Sequence, residues 1–171
     1  MFEEEITLFN RKYDNEIKDY IFIKTFLTGV NIDIKKAVNV IKSGLENANT
    51  GTIIIPEEVE TYGKIFLDPK KFKQAKVFNP LSVNEVNNKK VDAVNEIKIY
   101  LLGKPENVWT LQPGDIIVSG LIDYTIKGDN NITKLRNEYD YVYEIVSVDP
   151  KLKGGLPHWE VGLKWFNFMV N

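Results

Sequence analysis

Hydrophobic and polar positions alternate most cleanly near the end of the chain. There Trp159, Val161, Leu163 and Trp165 interleave with Glu160, Gly162 and Lys164. A two-residue period sends successive side chains to opposite faces, so this stretch predicts a strand with one buried and one wet face. Just upstream, Tyr141–Val148 is apolar on both faces, which predicts a strand in a central position. The two are expected to form an antiparallel hairpin across a loop at 149–157, with the four residues from Trp159 to Trp165 facing the core.

The same reading finds further strands. Ile6–Phe9 is a short apolar stretch, and Tyr20–Leu27 is dense in aromatic and β-branched residues before Gly29. Val30, Ile32 and Ile34 alternate with Asn31 and Asp33, which favours strand over helix, and Val38, Val40 and Lys42 continue the rhythm. Gly44–Gly51 reads as a loop, and Thr52–Ile55 as a strand stopped by Pro56. Gln112-Pro113-Gly114-Asp115 is a turn that leads into a strand over 115–119. Ile97–Leu102 is another strand candidate. Asp68-Pro69 is a helix start, with Asp as the cap and Pro at the first helical position. The stretch 79–97 is polar and rich in asparagine, and predicts a loop or short helix. The expected fold is mainly β: a small barrel or sandwich-like domain with long loops, at 123–139 and 149–157 above all, and one or two short helices.

Composition narrows the class. A chain of 171 residues fits one domain, 1–171, with a possible insertion at 76–100. It is 43% hydrophobic, with nine Phe, eight Tyr and three Trp, which argues against disorder. Its 22 basic and 24 acidic residues are well mixed, so no basic stripe marks a nucleic-acid footprint. Cysteine is absent, which removes disulfides and thiolate chemistry and suits a reducing compartment. The start, "MFEEEITLFN", is acidic, unlike a signal peptide, and no apolar run approaches a membrane span.

Candidate chemistry is sparse, and no catalytic, metal or cofactor residue is expected. His158 is the single histidine, without a second ligand or a triad around it, so it reads as a packing or surface residue. Glu3, Glu4 and Glu5, like Glu57 and Glu58, are adjacent carboxylates that point to different sides and read as solvated. The 128–131 "GDNN" lacks the spacing of a calcium loop, and Gly154-Gly155 is followed by a strand rather than by a phosphate-binding helix. Trp109, Trp159 and Trp165 could stack sugars or bases, but without a basic groove they read as core, with Trp109 the exception to watch because it sits beside a turn.

The C-terminal third nevertheless has a recognisable grammar. "WTLQPGDIIVSG", "YEIVSVDP" and "GGLPHWEVGLKW" resemble the head-closure or neck ("stopper") proteins of long-tailed phages and prophages of low-GC Gram-positive bacteria. The matching positions are Pro113, Gly114, Asp115, Gly120, Tyr143, Ile145, Val148, His158, Glu160 and Val161. "ITLFNRKYD" and "GTIIIPEE" are also similar to a phage family of this size. The resemblance implies a small β-barrel that assembles as a homo-oligomeric ring in the virion, put together in the host cytoplasm. It implies portal, adaptor and tail proteins as neighbours, passing contact with packaged DNA, and no membrane or catalytic role. A tail-completion protein at the same junction is the nearest alternative. A barrel that binds carbohydrate or peptide is another.

Loops 123–139 and 149–157 mix apolar residues with both charges, which a partner surface would bury. The residues expected at that interface are Tyr124, Ile126, Lys127, Ile132 and Leu135 on the first loop, with Lys151, Leu152, Lys153 and Leu156 on the second.

Overall fold

The computed structural model describes residues 3–36, 49–74 and 107–165. Six strands close into an antiparallel barrel in the order β1-β2-β3-β8-β7-β6. They are β1 (Glu4–Asp14), β2 (Asp19–Lys36), β3 (Asn49–Pro56), β6 (Ile116–Ser119), β7 (Val142–Lys151) and β8 (His158–Trp165). Two short strands, β4 (Ile65–Phe66) and β5 (Val108–Trp109), form a separate parallel pair. Closure removes the exposed edges that an open sheet of this size would present. The mainly-β expectation holds.

The barrel closes because its longest strand bends. β2 pairs with β1 from Asp19 to Val30 and with β3 from Asn31 to Lys36. The register with β1 shifts between Glu4 and Glu5, leaving Gly29 as the extra residue, at φ +97°. Glycine enters that left-handed region without steric cost, and the resulting bulge turns the strand. A second register shift, between Ile145 and Ser147, bends β7.

Alternation then fills the interior. Ile6, Leu8, Leu27, Ile53, Ile117, Tyr143, Ile145, Val161 and Leu163 form one buried cluster. Trp109 and Trp159 join it in edge-on contact at 5.9 Å, with Phe66 against both. Trp159 is therefore core, as its sequence context suggested, and Trp109 is core as well despite the turn beside it. Trp165 is half-buried and stacks on Tyr141 at 6.1 Å, so the last member of the alternating series sits at the rim rather than in the interior.

Helix α1 (Pro69–Gln74) begins where Asp68-Pro69 predicts, with Asp68 Oδ1 accepting from the Lys71 N–H at 3.0 Å. Phe72 packs with Ile23 and Val108. Buried Lys12 reaches across from β1 to donate to the carbonyls of Phe72 and Lys73, which places a cation at the helix C-terminus. Burial lowers its pKa, and the charge of Asp14 opposes that shift.

Some expectations change. Residues 123–139 are not one long loop, because helix α2 (Ile132–Glu138) lies within them. The loop between β7 and β8 is shorter than 149–157, since Asp149, Pro150 and Lys151 still pair with β8. Asn49, Thr50 and Gly51 belong to β3 rather than to a loop. β7 is central in its pairing, but only its first part is covered on both faces, and Val146 is 49% exposed. The readings at 38–48, at 76–100 and at 97–102 lie outside the described residues.

Candidate interaction surface

β6 is only four residues long. It pairs with Ile6–Phe9 of β1 on one side and with Val142–Glu144 of β7 on the other. Beyond its start both neighbours run on, β1 to Asp14 and β7 to Lys151. The seam between them is continued by side chains. Asp115 Oδ1 accepts from the Arg11 N–H at 2.8 Å and from Gln112 Nε2 at 3.1 Å, and Oδ2 accepts from Asn10 Nδ2 at 2.7 Å. Gln112 Nε2 also donates to the Arg11 carbonyl at 2.7 Å. Asn10 holds both backbone groups of Thr110, at 2.8 and 3.1 Å. On the other flank the Gly114 N–H donates to the Ile145 carbonyl, and the Ile145 N–H to the Asp115 carbonyl.

Asp115 is fully buried. Burial pushes its carboxyl up to about 7, against the hydrogen bonds from the Arg11 backbone, Gln112 and Asn10. A raised carboxyl pKa is a frequent mark of a catalytic acid, but this one is sealed from solvent and meets amide donors. It can hold the seam and exchange a proton. Thr110 Oγ1 and Gln112 Oε1 are buried beside it without a hydrogen-bond partner, which lowers the net gain from the network.

β1 and β7 both run antiparallel to β6, so they run parallel to each other. The β1–β2 and β7–β8 turns therefore lie at the same end of the barrel, one on each flank of the seam. Nine large hydrophobic residues of the described chain are exposed, and six of them sit on these two hairpins. Tyr13, Ile17 and Tyr20 are 48%, 60% and 48% exposed, and Val146, Leu152 and Leu156 are 49%, 46% and 59% exposed. Tyr13 and Tyr20 meet edge-on at 5.3 Å, with the Arg11 guanidinium 4.4 Å above the Tyr20 ring.

A family model described as "Family of unknown function (DUF6751)" matches residues 1–164. The chain belongs to that family. No curated protein and no solved structure matches it. The matched span covers the Asp115 seam, both hairpin turns and all of the barrel strands but the last residue of β8.

The interface residues expected from sequence divide into two groups. Lys151, Leu152, Lys153 and Leu156 are exposed, and lie at the β7–β8 turn. Lys151 pairs with Asp149 at 2.9 Å, a contact that raises the lysine pKa. The first loop is different. Leu135 is fully buried and Tyr124 is 6% exposed, in a satellite core with Phe9, Ile116, Val118 and Val142 on the outer face of the barrel. Ile126 and Ile132 pack against that core, and the Tyr124 hydroxyl donates to the Asn131 carbonyl at 2.8 Å. Lys127 is exposed, and its backbone exchanges hydrogen bonds with that of Asn130. Tyr124 and Leu135 are thus core residues rather than partner-facing ones. The reason is α2, whose inward residues were read as loop apolars. Asn131 caps this helix by accepting from the Lys134 N–H at 2.9 Å, and Ile132 and Leu135 are spaced to share a face. Those two signals would have found it.

His158 makes local contacts, Nδ1 with the Leu156 carbonyl at 2.7 Å and Nε2 with Glu160 at 3.5 Å. Glu4 accepts from the Ile32 N–H at 2.6 Å, while Glu57 and Glu58 are exposed after β3. Among the described residues no group of three or more acidic or histidine side chains is arranged to hold a metal ion. No helix there is long and apolar enough to cross a membrane.

Sequence reading missed the Tyr13, Ile17 and Tyr20 patch, because Tyr13 and Ile17 stand among polar residues at 10–19 and Tyr20 was read as the start of a strand. It also treated Asp115 as a turn residue. The carboxylate's role depends on partners more than 100 positions away on β1.

Proposed function

We propose that the protein is a structural component of a phage neck. It is a subunit of a homo-oligomeric ring that joins head to tail and closes or extends the DNA channel. The observation that carries this reading is the concentration of exposed apolar side chains on two hairpins whose turns lie at one end of a closed barrel. A closed barrel has little edge to offer, so association rests on side chains rather than on strand pairing. Exposed apolar residues gathered in this way mark interaction surfaces more often than chance decoration. The phage-like grammar of 109–166 supplies the setting, with portal or adaptor and tail proteins as neighbours and the virion as location.

The test is the composition of purified virions. Mass spectrometry should find several copies per particle, and cryo-electron microscopy should locate them at the head–tail junction. Density on the tail side alone would favour the tail-completion role. Absence from the particle, or a single copy, would overturn the ring and leave the carbohydrate- or peptide-binding barrel.

A further inference from the structure

The two hairpin turns differ in charge as well as in sequence. Between Asp14 and Asp19 the β1–β2 turn carries Asp14, Glu16 and Asp19 against Lys18, a net of −2. Between Lys151 and Leu156 the β7–β8 turn carries Lys151 and Lys153 and no acid, a net of +2. Asp149, at the base of the second turn, tethers Lys151 but leaves Lys153 open to solvent. In the first turn two of the three acids are tied to the backbone of the turn, while the Arg11 guanidinium lies over the Tyr20 ring at its base. Asp14 accepts from the Glu16 N–H at 2.9 Å, and Asp19 from the Tyr20 N–H at 2.7 Å. Each charged set surrounds exposed apolar side chains, Ile17 between Tyr13 and Tyr20 on one turn, Leu152 and Leu156 on the other.

We propose that the β1–β2 turn of one copy docks on the β7–β8 turn of a second copy of this chain. This rests on the ring reading above and names its contact. Apolar residues at the centre of each patch with opposite charges at its rim match the anatomy of a specific interface. The two patches differ, so the contact is heterologous, and each copy keeps one free patch to bind the next. Both turns lie at the same end of the barrel, since β1 and β7 run parallel on either side of β6. Patches at one level favour rotation between neighbours over translation along an axis. Rotation with little translation closes into a ring instead of winding into a filament. The Asp115 seam lies between the two turns and fixes their relative placement.

The chain has no cysteine, which makes the contact directly testable in the full-length protein. Ile17→Cys and Leu156→Cys are placed together in one chain and oxidised at high protein concentration. A ladder of disulfide-linked dimers, trimers and higher rungs is expected. It should be lost when Lys151→Glu and Lys153→Glu are added. It should return when Asp14→Lys and Asp19→Lys are added as well. The comparison pair, Leu121→Cys with Leu156→Cys, joins the second turn to an exposed residue beyond β6 and should give no ladder. A ladder no stronger than that of the comparison pair overturns the proposal. So does a link formed only within one chain, which would mean that the two turns of a single copy meet each other. Failure here, with the protein present in virions, rejects this contact and leaves the neck role standing. Success with the protein absent from virions does the reverse.

Discussion

β8 and β6 flank β7 in the same barrel but are held by different means. β8 is paired along both edges, with β3 from Thr50 to Pro56 and with β7 from Tyr143 to Lys151. Its backbone is satisfied by ladder hydrogen bonds, and its inward residues, Trp159, Val161 and Leu163, supply the interior. β6 has four residues, and the seam beyond it is held by the side chains of Asn10, Gln112 and Asp115. The first design spreads its stability over many apolar contacts. The second concentrates it in a few buried polar ones, which strengthen each other when complete and are costly when broken. The contrast therefore predicts different responses to mutation and to pH.

The largest effect should come from β8. Trp159 is 5% exposed and touches Phe66 at 4.7 Å and Trp109 at 5.9 Å. Trp159→Ala removes the transfer energy of a buried indole and leaves a cavity, at a cost of about 3–5 kcal/mol. Trp165→Ala, at the half-buried rim, should cost clearly less. Chemical denaturation of both variants checks the order. Equal losses would mean that the rim is as deeply packed as the interior.

The difference between these two tryptophans marks how far the sequence could be read. Alternation over 159–165 is a local property and predicted the strand, its facing and its hairpin partner. It carries no information about where the barrel ends, so Trp165 looked equivalent to Trp159. α2 was legible from Asn131 and the Ile132–Leu135 spacing, but the surrounding polar residues hid it. The Asp115 seam was not legible. "QPGD" is a sufficient turn signal by itself, and nothing local shows that its carboxylate substitutes for a strand partner of Arg11.

The seam should break at a smaller but still clear cost. Asp115→Ala takes the acceptor from the Arg11 N–H and one acceptor each from Asn10 and Gln112, which keep bonds to Thr110 and Arg11. Leaving a buried donor unanswered costs roughly 1–3 kcal/mol. Urea unfolding at pH 5 measures it. A loss as large as that of Trp159→Ala would put the seam on a level with the core.

The same carboxyl gives the seam a pH signature. Its pKa rises from the ordinary 3.8 to about 7 in the folded protein, chiefly through burial. The folded state thus holds the proton more tightly than the unfolded one. The stability this contributes is full below the unfolded value of 3.8 and is lost as pH climbs to about 7. Wild type should lose stability across that window relative to Asp115→Ala, so the gap between the two should narrow as pH rises. Parallel profiles for the two proteins would show that the carboxyl keeps its ordinary affinity for protons.

The smallest effect on stability is expected where the proposed effect on assembly is greatest. Leu156 sits at the β7–β8 turn, 59% exposed, between two strands whose ladder is complete without it. Ile17 holds the equivalent place on the other hairpin, 60% exposed. Replacing either by Ser removes little buried area, and surface changes of this kind stay within about 0.5 kcal/mol. Thermal unfolding of Ile17→Ser and Leu156→Ser as isolated chains should therefore match wild type, while their cross-linked ladders shrink. The pairing of those results is what separates a docking residue from a core residue. If Leu156→Ser unfolds as easily as the seam variant, then Leu156 is covered within its own chain, and the β7–β8 turn belongs to the fold in the way that Leu135 and Tyr124 do.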